Sequence, residues 1–253
     1  MSDLIATAAR FLGRASDYAK HRPSYPPAAI DAVFEGFGDP ASLTIADIGA
    51  GTGISTRLLA ERGASVIAVE PNPQMRSAIE GTHIRAHDGT AERTGLAAQS
   101  VDLVTAFQAF HWFATPEAVR EFARILKPRG RVALVWNIRD DDDAFTRGYA
   151  RIADLDSDAA RRAGQTSDDP DLATLLGAAG VTYIRWSDFP YAQRLDLEGL
   201  LGRARSASYV PSEGPEHDAI MQGLRDLYAR FAAPDGSVAL VYRTRVHLAE
   251  RTS

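Results

Sequence analysis

A chain of 253 residues without cysteine has no disulfide staples, thiolate metal sites or cysteine nucleophiles, and its formal net charge of −5 argues against a phosphate backbone as the main partner. Hydrophobic residues make up 45% and charged residues 24%, the profile of a soluble globular protein, and no apolar run approaches the ~18 residues of a membrane span. The opening Met1-Ser2-Asp3-Leu4 lacks the charged head and apolar body of a signal peptide, so a cytoplasmic location is expected.

In chain order, Pro27 starts a helix that runs through Phe34 and ends at Gly36, Gly38 and Pro40. Leu43 to Ile48 reads as a buried strand running into glycines, Ser55 to Arg62 as a helix, and Ser65 to Val69 as a second strand. A helix over Pro73 to Glu80, a weaker strand over Thr82 to Ala86 and a fourth strand over Val101 to Phe107 follow. Pro116 to Leu126 carries apolar residues at helical spacing, and Lys127-Pro128-Arg129-Gly130 reads as the turn before a fifth strand, Arg131 to Trp136. Beyond it, Ala144–Leu155, Asp171–Ala179, Leu197–Ala207 and Glu216–Phe231 read as helices, and Val181–Tyr191 and Val238–Leu248 as an antiparallel closing pair of strands. Continuous apolar strands alternating with helices predict an α/β, Rossmann-like, doubly wound sheet. It is expected to be seven-stranded and mostly parallel, with one antiparallel edge strand and a helical cap.

The first strand delivers Asp47-Ile48-Gly49-Ala50-Gly51-Thr52-Gly53 to the carboxyl edge of the sheet, where ligands of such folds sit. A glycine loop alone is weak evidence, since it also serves as a plain strand-to-helix turn. Glu70 strengthens it, because a carboxylate at the end of the second strand accepts both hydroxyls of an adenosine ribose. The spacing is G-x-G-x-G with Ile54 next, not the G-x-G-x-x-G of a dinucleotide site. Asp47 would repel a pyrophosphate and suits a cationic ligand such as S-adenosylmethionine, with its ammonium and sulfonium.

The stretch from Ile45 to Asn137 resembles class I S-adenosylmethionine methyltransferases of the small-molecule, type 11-like group. Asp47–Gly53 resembles their first motif, Val69-Glu70-Pro71-Asn72 the ribose motif, Gly89-Thr90-Ala91-Glu92 the adenine-side motif, and Leu126–Gly130 the turn before the fifth strand. Tyr18–Pro26 and Gln108-Ala109-Phe110-His111-Trp112-Phe113 are similar to a subgroup that includes fungal trans-aconitate methyltransferases. Thr90 departs from the pattern, since many members carry an acid there.

The resemblance implies S-adenosylmethionine as donor and S-adenosylhomocysteine as product. The donor residues it implies are Tyr18, Arg22, Asp47, Gly49, Ala50, Gly51, Thr52, Gly53, Glu70, Pro71, Asn72, Met75, Thr90, Ala91, Glu92, Gln108, Ala109 and Trp112. It also implies one domain over 1–253, with an N-terminal arm or lid (1–40), a donor-binding core (41–139), cap insertions carrying the sixth strand (140–235) and a closing strand (236–253). Arg22, in an arm that closes over the donor in the resembling group, is expected to clamp the methionine carboxylate. His111 is the candidate general base, or else a structural member of an aromatic cluster with Phe110, Trp112 and Phe113. Tyr25, Asn137, Arg139 and Tyr209 are the candidate acceptor contacts, and Asp140–Asp143 either neutralises Arg139 or opens a helix. The remaining histidines show no ligand spacing, so no metal is expected. The expected partner is a small molecule with a carboxylate or hydroxyl to methylate, and neither nucleic acid nor membrane, on a monomer or homodimer. The competing readings are a non-catalytic binder of the donor or its product, and an NAD-type oxidoreductase.

Overall fold

A computed structural model describes residues 21–153, 172–207 and 210–252. The elements are α1 (Pro27–Val33), β1 (Thr44–Ile48), α2 (Ile54–Ala60), β2 (Ser65–Val69), α3 (Pro73–Arg76), β3 (Ile84–His87), β4 (Val101–Phe107) and α4 (Pro116–Ile125). Then come β5 (Leu126–Arg139), α5 (Ala144–Ile152), α6 (Leu172–Gly177), β6 (Val181–Leu195), α7 (Leu197–Arg205), α8 (Pro215–Phe231) and β7 (Val238–Arg251). None of the described helices is long and apolar enough to cross a membrane.

The strands form a seven-stranded sheet in the order β3-β2-β1-β4-β5-β7-β6. The pairings among β1 to β5 are all parallel, and the order reverses between β1 and β4. In β1 only Thr44 is not fully buried, as expected of a strand covered on both faces. The antiparallel strand expected at the edge is β7, which slots between β5 and β6 and leaves β6 outermost. Its direction follows from contacts whose numbers rise on one strand as they fall on the other. Arg131 reaches Glu250 and Asn137 meets Thr244 from β5, while Tyr183 meets His247 and Asp188 meets Arg245 from β6.

Several boundaries differ from expectation, and two of them have a clear local cause. The Lys127–Gly130 turn is part of β5. Register jumps from Val101↔Leu126 to Leu103↔Arg131, the surplus residues bulge, and Arg129 takes φ 62°. Lys127 Nζ anchors the bulge by donating to both carboxylate oxygens of Asp102 at 2.8 and 2.9 Å. The helix expected to reach Glu80 stops at Arg76, where the chain continues in i→i+3 bonds (Ala78 to Met75, Ile79 to Arg76).

The described chain divides into two compact units, each discontinuous in sequence. One takes 25–137, 172–189 and 244–252 and holds a core that includes Ile30, Ile45, Leu59, Leu103, Val135 and Val246. α1 begins with Pro27 in its first turn, and α4 is capped by Thr115 Oγ1, which accepts from Ala118 N, so Val119, Phe122 and Ile125 face inward. The other takes 21–24, 138–153, 190–207 and 210–243, with its own core around Tyr149, Leu200, Leu224 and Leu240.

Candidate functional site

β1 ends in Asp47 and Ile48, and the chain then turns through Gly49, Gly51 and Gly53 at φ 68°, 58° and 80°. A Cβ on Gly49 would lie 2.8 Å from Ala109 Cβ, so the segment after β4 rests directly on the glycine loop. Gly49 N and Ala50 N both donate to Val69 O, which ties the loop to the end of β2.

The structure places Asp47, read as suiting a cationic ligand, inside the core. It is fully buried. Oδ2 accepts from Ser55 Oγ at 2.8 Å and Thr56 Oγ1 at 2.7 Å, and Oδ1 accepts from Thr105 Oγ1 at 2.8 Å. Burial pushes its carboxyl above the usual range, while the hydroxyls of Thr56, Ser55 and Thr105 pull the other way. Its carboxyl ties the end of β1 to the start of α2 and to β4.

Glu70 lies at the end of β2 as expected, and its carboxylate spans the loop. Oε2 accepts from Gly51 N and Oε1 from Asn72 N, both at 2.8 Å. Arg76 Nη1 donates to the Glu70 carbonyl at 2.6 Å and to Asp88 Oδ1 at 3.1 Å. Burial raises the Glu70 carboxyl, opposed by the N–H groups of Asn72 and Gly51 and by the Arg76 charge. An ionised carboxylate has about four acceptor positions. One on each oxygen is taken by a backbone N–H, and one on each is left over.

Asn72 Oδ1 caps α3 by accepting from Gln74 N at 2.9 Å and Met75 N at 3.3 Å, and Met75 is buried. Pro71 is exposed between them. Beyond β3, Gly89 to Glu92 form the loop beside β2, where Ala91 is buried, Glu92 half-buried, and a Cβ on Gly89 would meet Val69 at 3.0 Å. Thr90 Oγ1 is engaged locally, accepting from Arg93 N at 3.2 Å. A brace absent from the sequence reading holds this loop: Glu121 Oε1 accepts from Thr94 N at 2.9 Å and Thr94 Oγ1 at 2.5 Å.

After β4, Gln108 adopts φ 50°, an uncommon conformation for a non-glycine residue. It is held there by Gln108 N to Val135 O at 2.8 Å and Gln108 Nε2 to Asn137 O at 3.2 Å. Asn137 is buried and its Oδ1 accepts from Thr244 Oγ1 at 2.6 Å. Ala109 and Phe110 are buried, His111 is half-buried and Trp112 is 37% exposed. His111 Nδ1 accepts from Trp136 Nε1 at 3.4 Å.

Other expected site residues have surroundings of their own. Tyr25 is buried, with its ring edge-on to Phe107 at 4.8 Å, and Pro26 and Pro27 turn the chain into α1 immediately after it. Arg22 belongs to the other unit, where Nη2 donates to Ser206 O at 3.1 Å. Arg139 belongs to that unit too and makes no ion pair among the described residues. The acids after it open a helix, with Asp143 Oδ1 capping α5 at Thr146 N, 2.7 Å away. Tyr18 and Tyr209 fall outside the described residues. Sequence reasoning missed Ser55, Thr56 and Thr105; the last was visible only as a hydroxyl in the middle of the mostly apolar β4.

The residues around the loop fit an adenosyl donor. Glu70 keeps acceptor capacity toward a ribose diol, and the glycines leave the backbone open to close approach. Thr52 Oγ1 is buried without a hydrogen-bond partner among the described residues, which is costly unless a ligand supplies one.

Comparison with known proteins agrees with this geometry. Residues 46–134 match the family model described as a methyltransferase domain. An uncharacterised methyltransferase of Schizosaccharomyces pombe is 31% identical over 207 residues, covering 79% of this chain and 80% of that protein. An uncharacterised methyltransferase of Mycobacterium bovis is 43% identical over 148 residues, 57% of this chain and 58% of that protein, so the matched stretch spans little more than half of that relative's length. The solved structure of a protein from Anaeromyxobacter dehalogenans, described as a type II methyltransferase, has the same fold. Its TM-score is 0.69 at 23% identity, over 91% of this chain and 98% of that one.

Proposed function

Since the chain belongs to the methyltransferase family, we propose that it transfers a methyl group from S-adenosylmethionine to a small-molecule acceptor, with a carboxylate or hydroxyl favoured. The observation that carries the donor assignment is Glu70, whose two oxygens each hold one backbone N–H of the loop and keep capacity for the two hydroxyls of a ribose. Gly49, Ala50, Gly51, Thr52 and Gly53 form the backbone cradle, with the Thr52 hydroxyl as a waiting partner. Asn72 and Met75 hold the ribose end, Thr90, Ala91 and Glu92 border the adenine, and Gln108, Ala109 and Trp112 border the methionine half. Aromatic faces near a sulfonium stabilise it by about 0.5–2 kcal/mol.

The bound donor supplies an activated methyl group. The chain's own work is to orient the acceptor and keep water out, since an in-line displacement gains most from alignment. A proton has to be removed only from a hydroxyl or amine acceptor. We take the two units as parts of one methyltransferase domain.

Calorimetry with S-adenosylhomocysteine tests the donor assignment, and turnover of a methyl-labelled donor against acids, phenols and amines tests the reaction. Binding without turnover across that panel would recast the protein as a non-catalytic binder. Preferential binding of NAD would sink the donor assignment.

A further inference from the structure

The register between β5 and β7 sets up a polar row apart from the glycine loop. Asn137 meets Thr244, and Asp140 N donates to Val241 O at 3.0 Å, so Arg139 stands directly opposite Tyr242. Directly opposed residues of an antiparallel pair share a face, with Cβ atoms about 5 Å apart. On the other side of β7, the Tyr191 ring of β6 lies 6.0 Å from the Tyr242 ring. Arg139, Tyr242 and Tyr191 therefore stand side by side across three strands, and all three belong to the same compact unit.

Each member of the row has hydrogen-bonding capacity to spare. Arg139 is half-buried and makes neither an ion pair nor a hydrogen bond among the described residues. The acids that follow it are engaged within their own turn, where Asp140 Oδ1 accepts from Asp142 N and Asp143 Oδ1 from Thr146 N. Tyr242 is buried, and its hydroxyl has no hydrogen-bond partner among the described residues. The Tyr191 oxygen accepts from Ser24 N at 3.2 Å, which leaves its O–H to donate. Burial raises the Tyr191 hydroxyl above its ordinary value, the Ser24 N–H opposes this and Tyr242 adds to it, so the phenol keeps its proton. A half-buried cation without an anion and a buried hydroxyl without a partner both cost free energy, which a ligand offsets by supplying the partners. Arg139 and Tyr191 are only half-buried, so the row can be reached at both ends, while Tyr242 between them is shielded from water.

We propose that Arg139, Tyr242 and Tyr191 form an anion-recognition subsite that holds the methyl acceptor by a carboxylate. That its ligand is the methyl acceptor rests on the methyltransferase reading. The guanidinium presents two parallel N–H groups to a carboxylate, and each phenol adds one O–H. An ionised carboxylate has about four acceptor positions, enough for all four donors. The matching neutral amide has one oxygen, and its NH2 group would set donors against donors. The subsite therefore selects acids over their amides, and it does so by binding alone, with no proton transferred.

Calorimetric titration of the full chain tests this, with and without saturating S-adenosylhomocysteine. The probes are acetate, succinate and benzoate, their amides, and inorganic phosphate. At least one acid should bind ~10-fold or more tightly than its amide and than phosphate, and Arg139→Gln should remove that preference. Tyr242→Phe should weaken the acid by roughly tenfold while its melting temperature stays equal or rises, because the hydroxyl it loses has no partner in the fold. If Arg139→Gln does not melt cooperatively, Arg139→Lys decides, since it keeps the charge and loses the planar fork, and its preference must fall as well. No acid bound in preference to its amide, a preference that survives these Arg139 variants, or a lower melting temperature in Tyr242→Phe overturns the proposal. Phosphate bound more tightly than every acid overturns the carboxylate assignment. Failure to bind S-adenosylhomocysteine would instead remove the donor reading, and the acid-over-amide preference is read without that ligand.

Discussion

In the parallel pairing of β1 with β4, Thr105 stands beside Asp47, and its hydroxyl donates to Asp47 Oδ1 at 2.8 Å. With Ser55 and Thr56 it builds a hydroxyl cage around a fully buried carboxylate. Such a cage lets a charge sit in the core beneath a ligand loop, because each donor stabilises the ionised form.

Thr105→Val removes one donor to that carboxylate and should destabilise the fold by about 1.5–3 kcal/mol at pH values where Asp47 is ionised. Burial raises the Asp47 carboxyl, so the folded chain holds its proton more tightly than the unfolded one. Between about pH 4, the ordinary aspartate value, and the raised folded value, stability therefore falls as pH rises. The cost of Thr105→Val should be full above that window and shrink within it as Asp47 protonates. Urea melts of both proteins at several pH values measure this, and a cost that grew on acidification would contradict the cage.

Glu70→Ala strips the acceptors from Gly51 N and Asn72 N and, on the proposed function, from the ribose. Affinity for S-adenosylhomocysteine should fall at least ~10- to 100-fold, the worth of one hydrogen bond to a charged group. Calorimetry is the check, and wild-type affinity would exclude Glu70 from the donor site.

Thr52→Val should separate ligand binding from stability. The Thr52 hydroxyl is buried and unpartnered among the described residues, so its removal should leave the melting temperature equal or higher. Donor affinity should nevertheless drop by roughly tenfold if the ligand is the missing partner. A lower melting temperature with unchanged affinity would show that the hydroxyl serves the fold.

Gly49→Ala places a Cβ 2.8 Å from Ala109 Cβ at a φ of 68°. Strain and overlap together should cost about 2–4 kcal/mol and push the segment around Ala109 off the loop. Thermal denaturation reads the first effect and a weakened response of Trp112 fluorescence to donor reads the second.

The sequence by itself determined the alternation of strands and helices, the glycine loop and the placing of Glu70 after β2. These are local signals: runs of apolar residues fit a strand covered on both faces, and glycines permit positive φ. Tertiary structure decided the rest. Asp47 reads as an acid suited to a cation, and only the fold brings it a third hydroxyl, from Thr105 on a neighbouring strand, through register that no local pattern encodes. Tyr25 precedes two prolines, and only the fold buries it against Phe107. Which of the two closing strands is inner is likewise decided by the sheet: β7 lies between β5 and β6, so its His247 packs on Trp136, whose N–H donates to His111 Nδ1. Which polar groups meet depends on strand order and direction, and those are set only when the whole sheet packs.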